Sequence, residues 1–158
     1  MKTATVREIK QELINRSNGE LIELCLNLSK FKKENKELLT YLLYEASDEE
    51  SYINSVKREM EEQFSEINTS SYYFIKKSSR KILRNTKKYI RYSKNKETEV
   101  SLLIHFCREF LKLTPSITNN VTLMNIYDRQ IAMIKKTISG LHEDLQYDYE
   151  SELNSIKE

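Results

Sequence analysis

Apolar residues recur every three or four positions along most of the chain, the spacing that places them on one face of an α-helix. In the segment 18–46 this spacing is carried by Leu21, Leu24, Leu28, Phe31, Leu38 and Leu42. Other apolar residues widen the same face, so we expect 18–46 to be a central, well-buried element. A turn within 32–36 is favoured slightly over one continuous helix, which predicts a hairpin of two helices.

The segment 97–113 is the most hydrophobic of the chain, and Pro115 ends it because proline cannot continue a helix. Its polar residues fall on one stripe, which consists of His105, Arg108, Glu109 and Lys112. A helix with so narrow a polar stripe is buried on most sides. We therefore expect 97–113 to form the centre of the fold together with 18–46.

Helix starts are marked by capping boxes, in which a hydroxyl residue is followed three positions later by Glu. The pattern occurs at Thr5–Glu8, Ser17–Glu20 and Ser47–Glu50. Further helices are predicted over 48–68 and about 72–93. The region 119–156 contains either two helices divided at Gly140 or one long helix that includes this glycine.

The fold class follows from the scarcity of turn residues, since the chain has two glycines and one proline. Strands need frequent tight turns, so this composition argues against a β-rich fold. We predict a single all-α domain over 1–158 with about seven or eight helices, arranged as an irregular bundle or a short stack of antiparallel helical hairpins. A short α-solenoid is the alternative, although the diagnostic repeat patterns are missing.

Targeting and membrane signals are also missing. Charges interrupt the first 14 residues, and no apolar run approaches the roughly 18 residues that a spanning helix needs. Cys25 and Cys107 lie in the two most apolar segments, which predicts two buried thiols rather than a disulfide. We expect a cytoplasmic protein with no membrane insertion.

Acidic and basic residues are interspersed over most of the chain, but in one stretch the charged residues are all basic. Between Lys76 and Lys96 there are ten basic residues and no acidic residue. Helical spacing gathers most of them into two neighbouring stripes, and the candidate contacts for nucleic acid or another anion are Lys76, Lys77, Arg80, Lys81, Arg84, Lys87, Lys88 and Arg91. Such a stripe attracts phosphates, and nearby tyrosines (Tyr72, Tyr73, Tyr89 and Tyr92) could stack on unpaired bases.

A structural interpretation of the same stretch competes with the functional one. The segments 48–68 and 141–158 each carry a net charge of −5, so together they offset the ten cations. The net charge of the whole chain is only +2. We therefore favour cations that pair internally or face water, with nucleic-acid binding ranked second.

The search for catalytic chemistry gives no candidate. His105 and His142 lie on different predicted helices, no Cys or His pair has zinc-ligand spacing, and two isolated glycines cannot form a phosphate-binding loop. We assign His105 to the solvent-facing stripe of 97–113 and 142–144 to a helix cap. The sequence predicts no catalytic, cofactor-binding or metal-binding residue, and no cofactor.

The sequence thus predicts a non-enzymatic helical module that binds another protein. The alternative is an RNA- or DNA-binding protein that uses the basic helix 76–96. The identity of a partner and the oligomeric state are left open.

Overall fold

The computed structural model describes residues 1–157, with side chains up to Ile156, and this part of the chain contains eight α-helices and no strand. The predicted all-α fold is confirmed. The α-helices are α1 (Val6–Ile14), α2 (Asn18–Phe31), α3 (Lys33–Thr40), α4 (Glu49–Ser65), α5 (Tyr72–Ser93), α6 (Lys96–Leu111), α7 (Val121–Ser139) and α8 (Glu143–Asn154). A short π-helix, Tyr41–Glu45, follows α3.

Two of the three predicted capping boxes are confirmed. Thr5 and Ser17 accept hydrogen bonds from the backbone N–H groups of Glu8 and Glu20, whose carboxylates accept in return from the cap residues. The third prediction is wrong by one residue, because Asp48 rather than Ser47 caps α4. The Asp48 carboxylate accepts from the backbone N–H of Ser51 at 3.1 Å, and a carboxylate serves this purpose as well as a hydroxyl.

The sequence leaves open whether 18–46 and 119–156 are each one helix or two, and in the structure each region contains two α-helices. Lys32 separates α2 from α3 with an extended backbone, at φ −140° and ψ 144°. Gly140 is the C-cap of α7, and His142 caps α8 by accepting a hydrogen bond from the backbone N–H of Asp144. The cap predicted for 142–144 is therefore confirmed, and neither region is one continuous helix.

The chain divides into two compact units, Met1–Tyr44 and Glu45–Glu158. In the second unit α6 contacts α4, α5, α7 and α8, and Leu102, Leu103 and Ile104 are fully buried. The Phe106 ring lies 5.2 Å from Phe110 and 5.5 Å from Phe64 of α4, at tilted angles that favour aromatic pairs. The prediction that 97–113 is central is confirmed.

The equivalent prediction for 18–46 is wrong. Of the first unit's residues only Ser29 and Tyr41 are buried, whereas Leu28 is 62% and Phe31 79% exposed. Helical spacing of apolar residues shows that a helix has an apolar face, but it does not show that anything covers that face. The single-domain prediction stays a prediction, because a division into compact units does not say whether either unit folds alone.

The two cysteines differ in their surroundings. Cys25 is exposed, contrary to the expectation of a buried thiol, and Cys107 is fully buried as expected. Both are free thiols. Burial raises the pKa of Cys107 to about 12. Across residues 1–157, no helix combines the length and the apolar character needed to cross a bilayer.

Candidate functional site

A groove of about 660 Å³ lies within the first unit, between α1 and α2. Its apolar floor is formed by Ile9, Leu13 and Leu24, which remain 47%, 38% and 42% exposed. Ile9 and Leu13 stand four residues apart and therefore share one face of α1. The groove is thus an open apolar surface between two helices.

Four acidic side chains also line the groove, and together with Arg16 they form what we call its acidic rim. The charged lining residues are Glu8, Glu12, Glu20, Glu23 and Arg16, a net charge of −3. Arg16 lies 3.2 Å from Glu20 and 3.8 Å from Glu12. This one cation is shared between two carboxylates, so the rim keeps its negative character.

Local hydrogen bonds lower the pKa of two carboxylates of the acidic rim. The backbone N–H of Thr5 donates to Glu8 at 2.7 Å, and this bond lowers the pKa of Glu8. The pKa of Glu20 is lowered mainly by the hydrogen bond from Arg16, with a further contribution from Ser17. These two carboxylates are therefore negative throughout the neutral pH range.

Apolar exposure extends beyond the groove. Other exposed large apolar residues of the first unit are Met1, Val6, Ile14, Ile22, Leu26, Leu28, Phe31, Leu42, Leu43 and Tyr44. Apolar residues that lie together on a protein surface often mark binding sites. The first unit is the best candidate for a macromolecular interface.

The basic helix α5 has one buried face, which consists of Ile75, Ser79, Ile82 and Thr86. The predicted anion contacts lie on the remaining faces. Lys77, Arg80, Lys81, Arg84 and Arg91 are exposed, and Lys76, Lys87 and Lys88 are half-buried. The helix therefore packs on the core with one side and presents a band of cations on the others.

Seven of the eight predicted anion contacts are not held in ion pairs with residues whose side chains the structure describes. Among the described residues, no ion pair within 4.0 Å is made by Lys76, Lys77, Arg80, Lys81, Arg84, Lys87 or Arg91. The structural interpretation offered internal pairing with the segments 48–68 and 141–158 or exposure to water. For these seven cations the pairing half is wrong within the described residues, whereas exposure to water agrees with the five exposed ones. The Lys157 side chain and Glu158, which belong to the second segment, lie outside the described residues.

Two acids of α4 accept hydrogen bonds from hydroxyl groups of neighbouring helices. The Tyr89 hydroxyl donates to Glu59 at 3.0 Å, and the Ser93 hydroxyl donates to Glu49. The same carboxylate of Glu49 accepts from the Thr98 hydroxyl of α6 at 2.6 Å. These hydrogen bonds link α4 to α5 and α6.

Most of the tyrosines near the cations have structural partners. The Tyr72 hydroxyl donates to the carbonyl oxygen of Ser116 at 2.9 Å, and the Tyr89 and Tyr92 rings pack edge to face at 6.1 Å. Tyr73 is 67% exposed. Of the four tyrosines considered for base stacking, Tyr73 presents the most open ring.

His105 is buried, so its assignment to a solvent-facing stripe is wrong. Its Nε2 lies 3.0 Å from the Glu61 Oε1 atom of α4, and Glu109, one turn further along α6, completes a cluster of possible metal ligands. The sequence shows that His105 and Glu109 are four residues apart and share a face. It does not show that α4 brings Glu61 to that face, so the cluster was missed.

Comparisons of the chain with protein-family models, curated proteins and solved structures give no match.

Proposed function

We propose that this chain is a helical protein-interaction module, and that the groove between α1 and α2 binds a basic amphipathic helix of a partner protein. The observation that carries the proposal is the open apolar floor inside an acidic rim. Amphipathic helices bind grooves of this kind through apolar residues spaced three and four apart.

The chemistry of the groove defines its partner. Burying an apolar side chain completely contributes about 1.5–3 kcal/mol, and the three floor residues still have roughly 40% of that surface to bury. The rim adds selectivity more than affinity, because a negative rim speeds the approach of a positive partner and repels an acidic one. An acidic or purely apolar helix is therefore a poorer fit than a basic one.

Selection from a display library of helical peptides tests this proposal. We expect enriched peptides to carry net positive charge and one apolar face, and to lose binding when the protein carries Leu13→Asp. Ile14→Asp is the matched control, because Ile14 is the next residue of α1, is 70% exposed and does not line the groove. Peptides without a positive charge, or binding that Leu13→Asp leaves intact, would contradict the proposal.

Reversal of the rim charge tests its role separately from the floor. Glu12→Lys and Glu23→Lys both remove a negative charge from the rim and keep the apolar floor. We expect the double variant to slow association with a basic peptide and to reduce the dependence of the rate on salt. Equal association rates for the two proteins at low salt would show that the rim has no part in recognition.

Nucleic-acid binding through α5 is the second candidate function, and it is favoured by the exposed cations Lys77, Arg80, Lys81, Arg84 and Arg91 on one helix. Phosphate contacts release counterions, so binding should weaken steeply with salt. Replacing Arg80, Arg84 and Arg91 by Glu should reduce the slope of log affinity against log salt by about 1 for each lost contact. Failure to retain RNA or DNA at low salt would remove this candidate.

A further inference from the structure

Two helices of the second unit bring together one imidazole and two carboxylates. Glu61 comes from α4, and His105 and Glu109 come from α6. One potential ligand atom from each residue lies within 4.8 Å of the other two. Ligands that share one metal ion at about 2.1 Å cannot lie further apart than about 4.2 Å, so small side-chain adjustments suffice to close the cluster.

The His105 nitrogen that faces the carboxylates has no hydrogen bond. The His105 side chain is 10% exposed, and its Nε2 atom is buried without a hydrogen-bond partner among the described residues. Glu61 Oε1 lies 3.0 Å from this nitrogen, which is close enough for a hydrogen bond. The two atoms are therefore within hydrogen-bond distance without forming a hydrogen bond.

An ion shared by the two residues would account for a short distance without a hydrogen bond. In a hydrogen bond the acceptor lies on the N–H axis, whereas two ligands of one ion both point at the ion and lie beside each other. With bonds of about 2.1 Å, neighbouring ligand atoms are about 3.0 Å apart at an angle of about 90° and about 3.4 Å apart at the tetrahedral angle that Zn²⁺ favours. The 3.0 Å between Nε2 and Oε1 therefore needs only a small widening to hold a tetrahedral ion.

The charges of the cluster suit a divalent ion. The two carboxylates supply two negative charges, and the imidazole supplies a nitrogen ligand. Lys112 forms an ion pair with the Oε1 atom of Glu109. A carboxylate has two oxygens, so Lys112 competes with an ion for Glu109 but does not occupy the whole group.

We infer that Glu61, His105 and Glu109 form a binding site for a divalent transition-metal ion of the Zn²⁺ class, which links α4 to α6. An imidazole ligand selects Zn²⁺ and its transition-metal neighbours over Mg²⁺ and Ca²⁺, which prefer oxygen ligands alone. Three protein ligands leave at least one coordination position for water. The site is independent of the groove in the first unit.

Titration of the full chain with Zn²⁺ in a calorimeter tests the inference. We expect saturable binding of one ion per chain and a large shift of the His105 Nε2 resonance in the ¹⁵N spectrum of the ring. Mg²⁺ at the same concentration should give neither effect. An increase in thermal stability should accompany Zn²⁺ binding, since an ion that binds only the folded state stabilises it.

Substitutions locate the site. Glu61→Gln and Glu109→Gln should each weaken Zn²⁺ binding by at least about 10-fold, and Lys112→Met should strengthen it by removing the competing cation. The Glu61 side chain is 50% exposed, so we expect Glu61→Gln to fold normally. This variant therefore tests the site even if the other variants do not fold.

His142→Asn controls for adventitious binding. His142 is the other histidine, it lies 3.6 Å from Asp144, and asparagine preserves its role as a helix cap. The His142→Asn variant should bind Zn²⁺ as tightly as the wild-type chain. Absence of saturable binding to the wild-type chain would overturn the inference, as would binding that survives Glu61→Gln but disappears in His142→Asn.

Discussion

Leu28→Ala and Leu103→Ala remove the same atoms from two helices that look equally apolar in the sequence. Leu103 of α6 is fully buried, whereas Leu28 of α2 is 62% exposed. Truncation of a fully buried leucine costs about 2–5 kcal/mol, because it removes apolar burial and leaves a cavity. We expect this loss of unfolding free energy for Leu103→Ala.

The expected cost at Leu28 is much smaller. Full burial of a leucine is worth about 1.5–3 kcal/mol, and Leu28 has little more than a third of its surface covered. The higher helix propensity of alanine offsets part of the loss, so Leu28→Ala should cost less than about 1 kcal/mol.

Urea denaturation followed by far-ultraviolet circular dichroism measures both values, and tyrosine fluorescence gives a second signal, since the chain has no tryptophan. Each variant should be unfolded at a low protein concentration and again at a tenfold higher one, because self-association through the first unit would make the result depend on concentration. Equal costs for the two variants at low concentration would refute the conclusion that α2 is uncovered.

Three other predictions concern single contacts or conformations. Glu49→Ala should lower the free energy of unfolding by about 2–4 kcal/mol, because the Glu49 carboxylate accepts hydrogen bonds from hydroxyls of α5 and α6. Glu50 lies in the same helical turn and is exposed, so Glu50→Ala should lower it by less than about 0.5 kcal/mol. Urea unfolding of the two variants distinguishes them, and a similar cost for both would show that the helix terminus rather than the hydroxyl contacts is responsible. A thiol reagent at pH 8 should modify Cys25 at once and Cys107 only on unfolding, because Cys107 is buried and its pKa is raised to about 12. Rapid modification of both cysteines in the native protein would contradict the burial of Cys107. Lys94, the C-cap of α5, has a positive φ of 58°, so Lys94→Gly should raise the unfolding free energy by about 0.5–1 kcal/mol, and a decrease would be inconsistent with strain at this position.

Local features of this fold could be predicted from the sequence because they depend on neighbouring residues. The capping boxes at Thr5 and Ser17 bring together groups three positions apart, whereas the sequence leaves open whether Gly140 ends a helix or lies within one. The central position of α6 could also be predicted, since a helix that is apolar on most sides has to be surrounded.

Features that depend on contacts between helices could not be predicted in the same way. The apolar face of α2 has the pattern of a core helix, yet no part of the sequence states whether another element covers it. Charge totals left open whether the cations of α5 pair with acids or face water, and they could not indicate that hydroxyl groups of α5 donate to Glu49 and Glu59. The burial of His105 likewise depends on how α4 and α6 pack.

The proposed role of the groove is tested most directly by methyl NMR of the full chain with two designed 18-residue helices, one of leucine and lysine and the other of leucine and glutamate. We expect the basic peptide to shift the methyl resonances of Ile9, Leu13 and Leu24, which form the groove floor, and the acidic peptide to leave them in place. Shifts confined to Glu45–Ile156, or equal responses to both peptides, would contradict a groove that selects a basic helix.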